Sequence, residues 1–277
     1  MTYSPLPRFM NLFSVPRCLG VPSAALVTVA LALPSSTAAQ PQGRGTTPAA
    51  STPRQAAPID LTGQWVAVIS EDWRWRMITP SKGDFPSIPL NLKGQELAEA
   101  WDPAKDEAAG EQCKAYGAPG VMRGPTRLRI GWLDDNTLKL ETDYGMQTRL
   151  LRFGTAPAPA GPRTWQGVSR AEWVMTGAAR GGGPPPGAAG RRFGYVKSVT
   201  TNLRPGYLRK NGVPYSANAV FTEQWDVHVQ PNGTRYLVVT GIVDDPAYLQ
   251  SPWITALHFT AERDNSKWDP TPCDARF

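Results

Sequence analysis

Glu223, Asp226, His228 and His258 are the residues whose types and placement suit proton transfer or metal ligation. Residues 219–243, AVFTEQWDVHVQPNGTRYLVVTGIV, read as a β-hairpin that turns at Pro231-Asn232-Gly233-Thr234. Side chains alternate between the faces of a strand, so Phe221, Glu223, Trp225 and Val227 share one face. Thr222, Gln224, Asp226 and His228 share the other. Glu223 is the one charge on the apolar face. A carboxylate desolvated between Phe221 and Trp225 is pushed towards neutrality, where it suits a general acid or base, with Tyr215 as a partner. Its structural alternative is an internal salt bridge to Arg74, Arg76 or Arg129. Asp226 and His228 point the same way, about 7 Å apart along the backbone. With His258 on the last strand they offer a two-histidine, one-carboxylate metal site. Glu223 lies on the opposite face from that set, so the two cannot serve one interior site.

A second candidate set is Trp73, Arg74, Trp75 and Arg76, joined by Trp225. Read as an extended segment, residues 71–77 (EDWRWRM) put Trp73, Trp75 and Met77 on one side and Arg74 and Arg76 on the other. Indole faces stack on rings or cations and a guanidinium holds a carboxylate bidentately, so a ligand-binding barrel interior or mouth is one reading. The other is a strand that buries its indoles and solvates its arginines.

Other chemistries are excluded. The chain has no P-loop, dinucleotide glycine fingerprint, H-E-x-x-H, G-x-S-x-G or C-x-x-C. Two histidines cannot make a three-histidine zinc site. No residue set in the sequence points to a cofactor. The net charge of +6 is spread among acids rather than blocked, which argues against a nucleic-acid partner.

The elements that must position these residues begin after a leader. Arg8 and Arg17, the apolar run 21–33 and the small residues up to Ala39 have the order of a secretory signal peptide. The apolar run of about 13 residues is too short to span a bilayer, so no membrane insertion is expected after cleavage. Residues 40–58 carry almost no large apolar side chain and read as a disordered linker. Residues 59–277 are expected to form one domain in a periplasmic or secreted protein. Cys18 leaves with the leader, and Cys113 and Cys273 are then expected to pair as a disulfide in an oxidising compartment, the alternative being two unpaired thiols. Short strands recur with turns between them at 127–132, 137–142, 146–153, 165–175, 193–203, 219–243 and 252–260. Residues 91–101 form the best helix, with a second short one at 104–111. Residues 177–190, GAARGGGPPPGAAG, read as a low-complexity surface loop. The fold class is therefore all-β: an antiparallel, lipocalin-like up-and-down barrel, or a sandwich, with one or two short capping helices.

The phrases EDWRWRM, WDPAKDEAAGEQCKAYG, LRPGYLRKNGVPYSANAV, TEQWD and DDPAYLQSPW resemble those of a family of exported bacterial proteins of unknown function. The resemblance covers most of residues 59–277 and implies the compartment and an all-β fold, without any chemistry. Gly63-x-Trp65 at the start of the first strand resembles lipocalin-like barrels, whose tryptophan closes one end. The expected function is binding of a small, mostly apolar or anionic-headed molecule in a barrel lined by tryptophan and arginine. The alternative is a cofactor-free lyase, isomerase or hydrolase built on Glu223.

Overall fold

The computed structural model describes residues 51–155, 161–176 and 193–276. The leader, most of the linker and the segment 177–190 lie outside the described residues. Nine strands close into a barrel: β1 (Gly63–Val68), β2 (Arg127–Asp134), β3 (Thr137–Thr142), β4 (Thr148–Phe153), β5 (Val168–Thr176), β6 (Phe193–Thr201), β9 (Val220–Val229), β10 (Arg235–Asp244) and β11 (Trp253–Glu262). Between β6 and β9, β7 (Gly206–Arg209) and β8 (Val213–Tyr215) form a separate two-stranded ribbon. Around the wall the order is β1-β11-β10-β9-β6-β5-β4-β3-β2, closed where β1 pairs with β2. Every neighbouring pair is antiparallel except β4 and β5, which run parallel with Leu151 opposite Ser169. Elsewhere the strands alternate in direction as the expected barrel requires.

The alternation seen in the sequence is what closes the wall. Odd-numbered residues of β9 and β10 point inward, so Trp225, Leu237 and Val239 meet Trp65, Leu138, Leu151 and Phe259 in one buried cluster. A two-residue periodicity thus gives every strand one apolar face, and curling the sheet hides all those faces at once. The interior is filled by side chains rather than left as a ligand chamber. At one end, the Trp65 indole donates to the Leu61 carbonyl at 3.0 Å and the Arg235 guanidinium lies 4.9 Å over its ring.

That same end receives residues expected to be a free tether. Thr52 caps a one-turn helix, α1 (Pro53–Ala56). Arg54 N–H donates to the Asp135 carbonyl at 3.1 Å, and the Trp173 indole donates to the Pro53 carbonyl at 2.8 Å. The stretch lacks apolar bulk of its own, but its backbone satisfies barrel donors and acceptors.

The opposite end carries a cap made of α2 (Trp73–Arg76), α3 (Leu92–Glu99), α4 (Pro103–Ala108), two 3-10 turns (Gln112–Tyr116 and Val121–Arg123) and the β7–β8 ribbon. Asn91 caps α3 by accepting from Gly94 N–H, and Asp102 caps α4 ahead of Pro103. A second apolar cluster, including Leu90, Leu203, Leu208, Tyr215, Phe221 and Trp253, joins cap to barrel. Asn211 ties the ribbon to the 79–90 loop through bonds to the Ser81 and Asp84 carbonyls, both 2.9 Å. Cys113 and Cys273 are joined by a disulfide, and the Tyr116 hydroxyl accepts from Asp274 N–H at 3.2 Å. The C-terminal strap is thereby fixed to the cap, with Trp268 lying under the Arg129 guanidinium.

Residues 71–77 are not extended. Asp72 takes a left-handed φ of 53° and turns the chain into α2, closed by a bond from Met77 N–H to the Trp73 carbonyl at 2.9 Å. Successive helical residues are separated by about 100° rather than 180°. The expected division of tryptophans from arginines therefore fails. Trp75 and Arg76 turn inward together, while Trp73 and Arg74 face solvent.

Candidate functional site

Glu223 faces the barrel interior and is completely buried, 0 % exposed. Its partner is Arg149 on β4, not Arg74, Arg76 or Arg129. Arg149 Nη1 donates to Oε1 at 2.9 Å and Nη2 to Oε2 at 2.5 Å. Ser198 Oγ donates to Oε2 at 3.0 Å and accepts from the Trp225 indole at 3.2 Å. The pair sits where the barrel core meets the cap cluster and links β4 to β9, with Thr200 of β6 also accepting from Arg149 Nη2 at 3.4 Å. Tyr215 is also fully buried, but its hydroxyl has no hydrogen-bond partner, so it is not joined to Glu223. Both carboxylate oxygens are committed to structural bonds.

Asp226 and His228 lie on the outer face of β9, with Nε2 3.6 Å from Oδ2 and both side chains about half exposed. His258 lies on the outer face of β11 and approaches Glu71 instead, with Nδ1 3.4 Å from Oε2. In register, Asp226 and His258 flank Val238 from opposite sides, so a whole strand separates them. No group of three or more His, Cys, Asp or Glu side chains could hold a metal ion among the described residues. The alternative metal set is not assembled.

Of the ligand-binding candidates, Trp225 is part of the packed interior. Trp73 is 65 % exposed, and Arg74 is drawn outward to Asp84 at 2.7 Å. Trp75 and Arg76 remain, and these two line a cavity of about 200 Å³ at the capped end. The cavity is closed by segments far apart in sequence: Met77, Ile78 and Thr79 after α2, Arg123 and Gly124 at the second 3-10 turn, Tyr144 in the β3–β4 turn, and Leu208, Arg209 and Lys210 on the ribbon.

Each cation on this wall is held by a particular contact. Arg76 pairs with Glu71 and donates from Nε to the Arg123 carbonyl at 2.8 Å. Arg123 pairs with Asp72 at 3.1 Å and stacks over Trp253. Arg209 donates from Nη2 to the Pro86 carbonyl at 3.0 Å and lies over the Trp75 ring. Lys210 donates to the Tyr116 hydroxyl at 3.1 Å and lies near the Tyr116 and Tyr144 rings. Tyr144 is positioned in turn by Asp143, whose Oδ1 accepts from Tyr144 N–H and Arg127 N–H, both at 2.7 Å.

The electrostatics are unbalanced. Four cations face the cavity and two of them, Arg76 and Arg123, have carboxylate partners. Burial lowers the Arg209 guanidinium to about 10, with the neighbouring Arg123 charge adding to the effect. Burial likewise pushes the Lys210 ammonium down to about 8, against a smaller opposing pull from Asp274. Arg76 Nη2 and Arg209 Nε and Nη1 are buried without a hydrogen-bond partner. Buried guanidinium donors without acceptors are costly, and an incoming anion would satisfy them while neutralising charge.

Arg123, Arg209 and Lys210 carried a weak sequence signal, since they appear there only among dispersed basic residues. A sharper signal was available for Arg149. It occupies an inward position of β4, in step with Leu151 and Phe153, and so is a second charge on an otherwise apolar face.

No protein-family model, curated protein or solved structure matches the chain.

Proposed function

We propose that this protein is an exported, soluble β-barrel protein that binds a small anionic molecule with an apolar body, in the cavity between barrel and cap. The observation that carries the proposal is the surplus of buried cationic donors around the cavity. Arg209 is only 3 % exposed, has no carboxylate partner and leaves two donor nitrogens unbonded. Trp75, Met77, Leu208 and Tyr144 supply apolar surface beside it. An engineered cavity of about 150 Å³ holds benzene, so benzoate is a probe of suitable size for about 200 Å³.

Calorimetric titration of the purified protein with benzoate is expected to give saturable binding at pH 7. Arg209→Gln should weaken it by about 1.5–3 kcal/mol, the worth of a charge-assisted bond. Affinity should also fall as the pH rises through about 8, where Lys210 loses its proton. The ligand-free protein should respond with the opposite sign. The Lys210 pKa is lowered from 10.5, so between about 8 and 10.5 the unfolded chain binds more protons and stability rises with pH. Lys210→Gln should abolish both trends. An absence of binding by benzoate and by every other small carboxylate at every pH would rule the site out.

Export rests on Arg8, Arg17 and the apolar run to Leu33, and is consistent with the Cys113–Cys273 disulfide. Among the described residues no helix is long and apolar enough to cross a membrane. Protein recovered from outside the cytoplasm should have the intact mass of a chain beginning at Gln40. An uncleaved mass would refute processing after Ala39.

A further inference from the structure

The cavity wall combines buried cations with an exposed apolar edge. Its cations are deep: Arg76, Arg123 and Arg209 are all buried. Leu208 is buried beside them, and the exposed part of the lining is apolar. Met77 and Ile78 line the cavity yet are 52 % and 62 % exposed, and Trp73 stands one helical turn before Met77, also exposed. Trp73, Met77 and Ile78 are thus three large apolar side chains exposed to water within six residues.

We propose that the ligand is a single-chain amphiphile that enters head first. Its anionic head pairs with the guanidinium groups of Arg209 and Arg76, and its alkyl chain leaves over Met77 and Ile78 towards Trp73. This rests on the anion-binding reading above and adds the ligand's shape and direction. Charge complementarity fixes the head at the deep end. A space of about 200 Å³ takes a head and its first carbons but no long chain, so the remainder must emerge. The rim is apolar where it emerges, which gives the chain surface to cover.

Calorimetry on the intact protein with n-alkyl carboxylates from butanoate to dodecanoate, each below its micelle concentration, tests the proposal. Dissociation constants should tighten about fourfold per methylene along the rim and then level off, fourfold being the transfer of one CH₂ out of water. Ile78→Ser should weaken dodecanoate more than benzoate, with the melting temperature reporting that the exposed substitution leaves the fold intact. Octylammonium should not bind. Benzoate binding with no dependence on alkyl chain length would overturn the amphiphile and leave the anion site standing. Failure of benzoate and of every alkyl carboxylate would end both readings. Sedimentation with anionic phospholipid vesicles, without binding of monomeric carboxylates, would also overturn it in favour of a membrane surface.

Discussion

Arg149→Met is expected to destabilise the protein by about 3–5 kcal/mol, the cost of leaving a buried charge without its partner. Glu223 is 0 % exposed and Arg149 supplies both of its shortest bonds, at 2.5 and 2.9 Å, so removing the guanidinium strands a carboxylate between two apolar clusters. Ser198 alone cannot satisfy it. The double variant Arg149→Met/Glu223→Met should recover most of the loss, because apolar side chains of similar volume suit that position once neither charge is present. Urea unfolding followed by tryptophan fluorescence measures both. A single variant within about 0.5 kcal/mol of the parent, the usual range for an inconsequential surface change, would show that the pair contributes no stability. If benzoate binding survives in the folded double variant, the pair is structural and lies outside the ligand site.

The second large effect is expected from the disulfide. Cys113 and Cys273 are 160 residues apart. By the loop-entropy relation, closing a loop of that length in the unfolded chain is worth about 5 kcal/mol. Cys113→Ser/Cys273→Ser, or reduction of the parent, should lower the melting temperature accordingly, and equal melting with and without reductant would refute this. A functional loss should accompany it. Tyr116 binds both the strap, through Asp274, and the cavity, through Lys210. Freeing the strap therefore loosens one cavity wall, and benzoate affinity should drop on reduction under conditions where the barrel remains folded.

The barrel was legible in the sequence because two-residue alternation is a local property. The hairpin of β9 and β10, its turn at Asn232-Gly233, and the β2–β3 pair all follow from neighbours in the chain. The helix at Leu92–Glu99 was legible for the same reason, with Asn91 as its cap. The place of Glu223 on the apolar face, between Phe221 and Trp225, was legible, but that this face lines the interior was left open by the sequence and is seen only in the structure. The identity of its partner did not, because Arg149 reaches it from the other side of the barrel, 74 positions away. Residues 71–77 misled through their alternating Trp-Arg pattern, which imitates a strand. The left-handed Asp72 and the inward pull of Arg76 on the Arg123 carbonyl make it a helical turn. The cavity itself was illegible. Its wall comes from four separated segments whose meeting depends on how the cap folds over the barrel.

The place of β1 in the wall bears on the order of assembly. Its two neighbours are β2 and β11, with Gln64 lying opposite Arg129 on one side and Glu262 on the other. The first strand to emerge thus waits for the last before the circle can be completed, and such distant pairing is slow to form because the loop entropy is met before the contacts repay it. Until Trp253–Glu262 is available, β1 and β10 each present a bare backbone edge. A chain ending ahead of β11 therefore leaves an open sheet with two unpaired edges, and addition of that strand is what removes both.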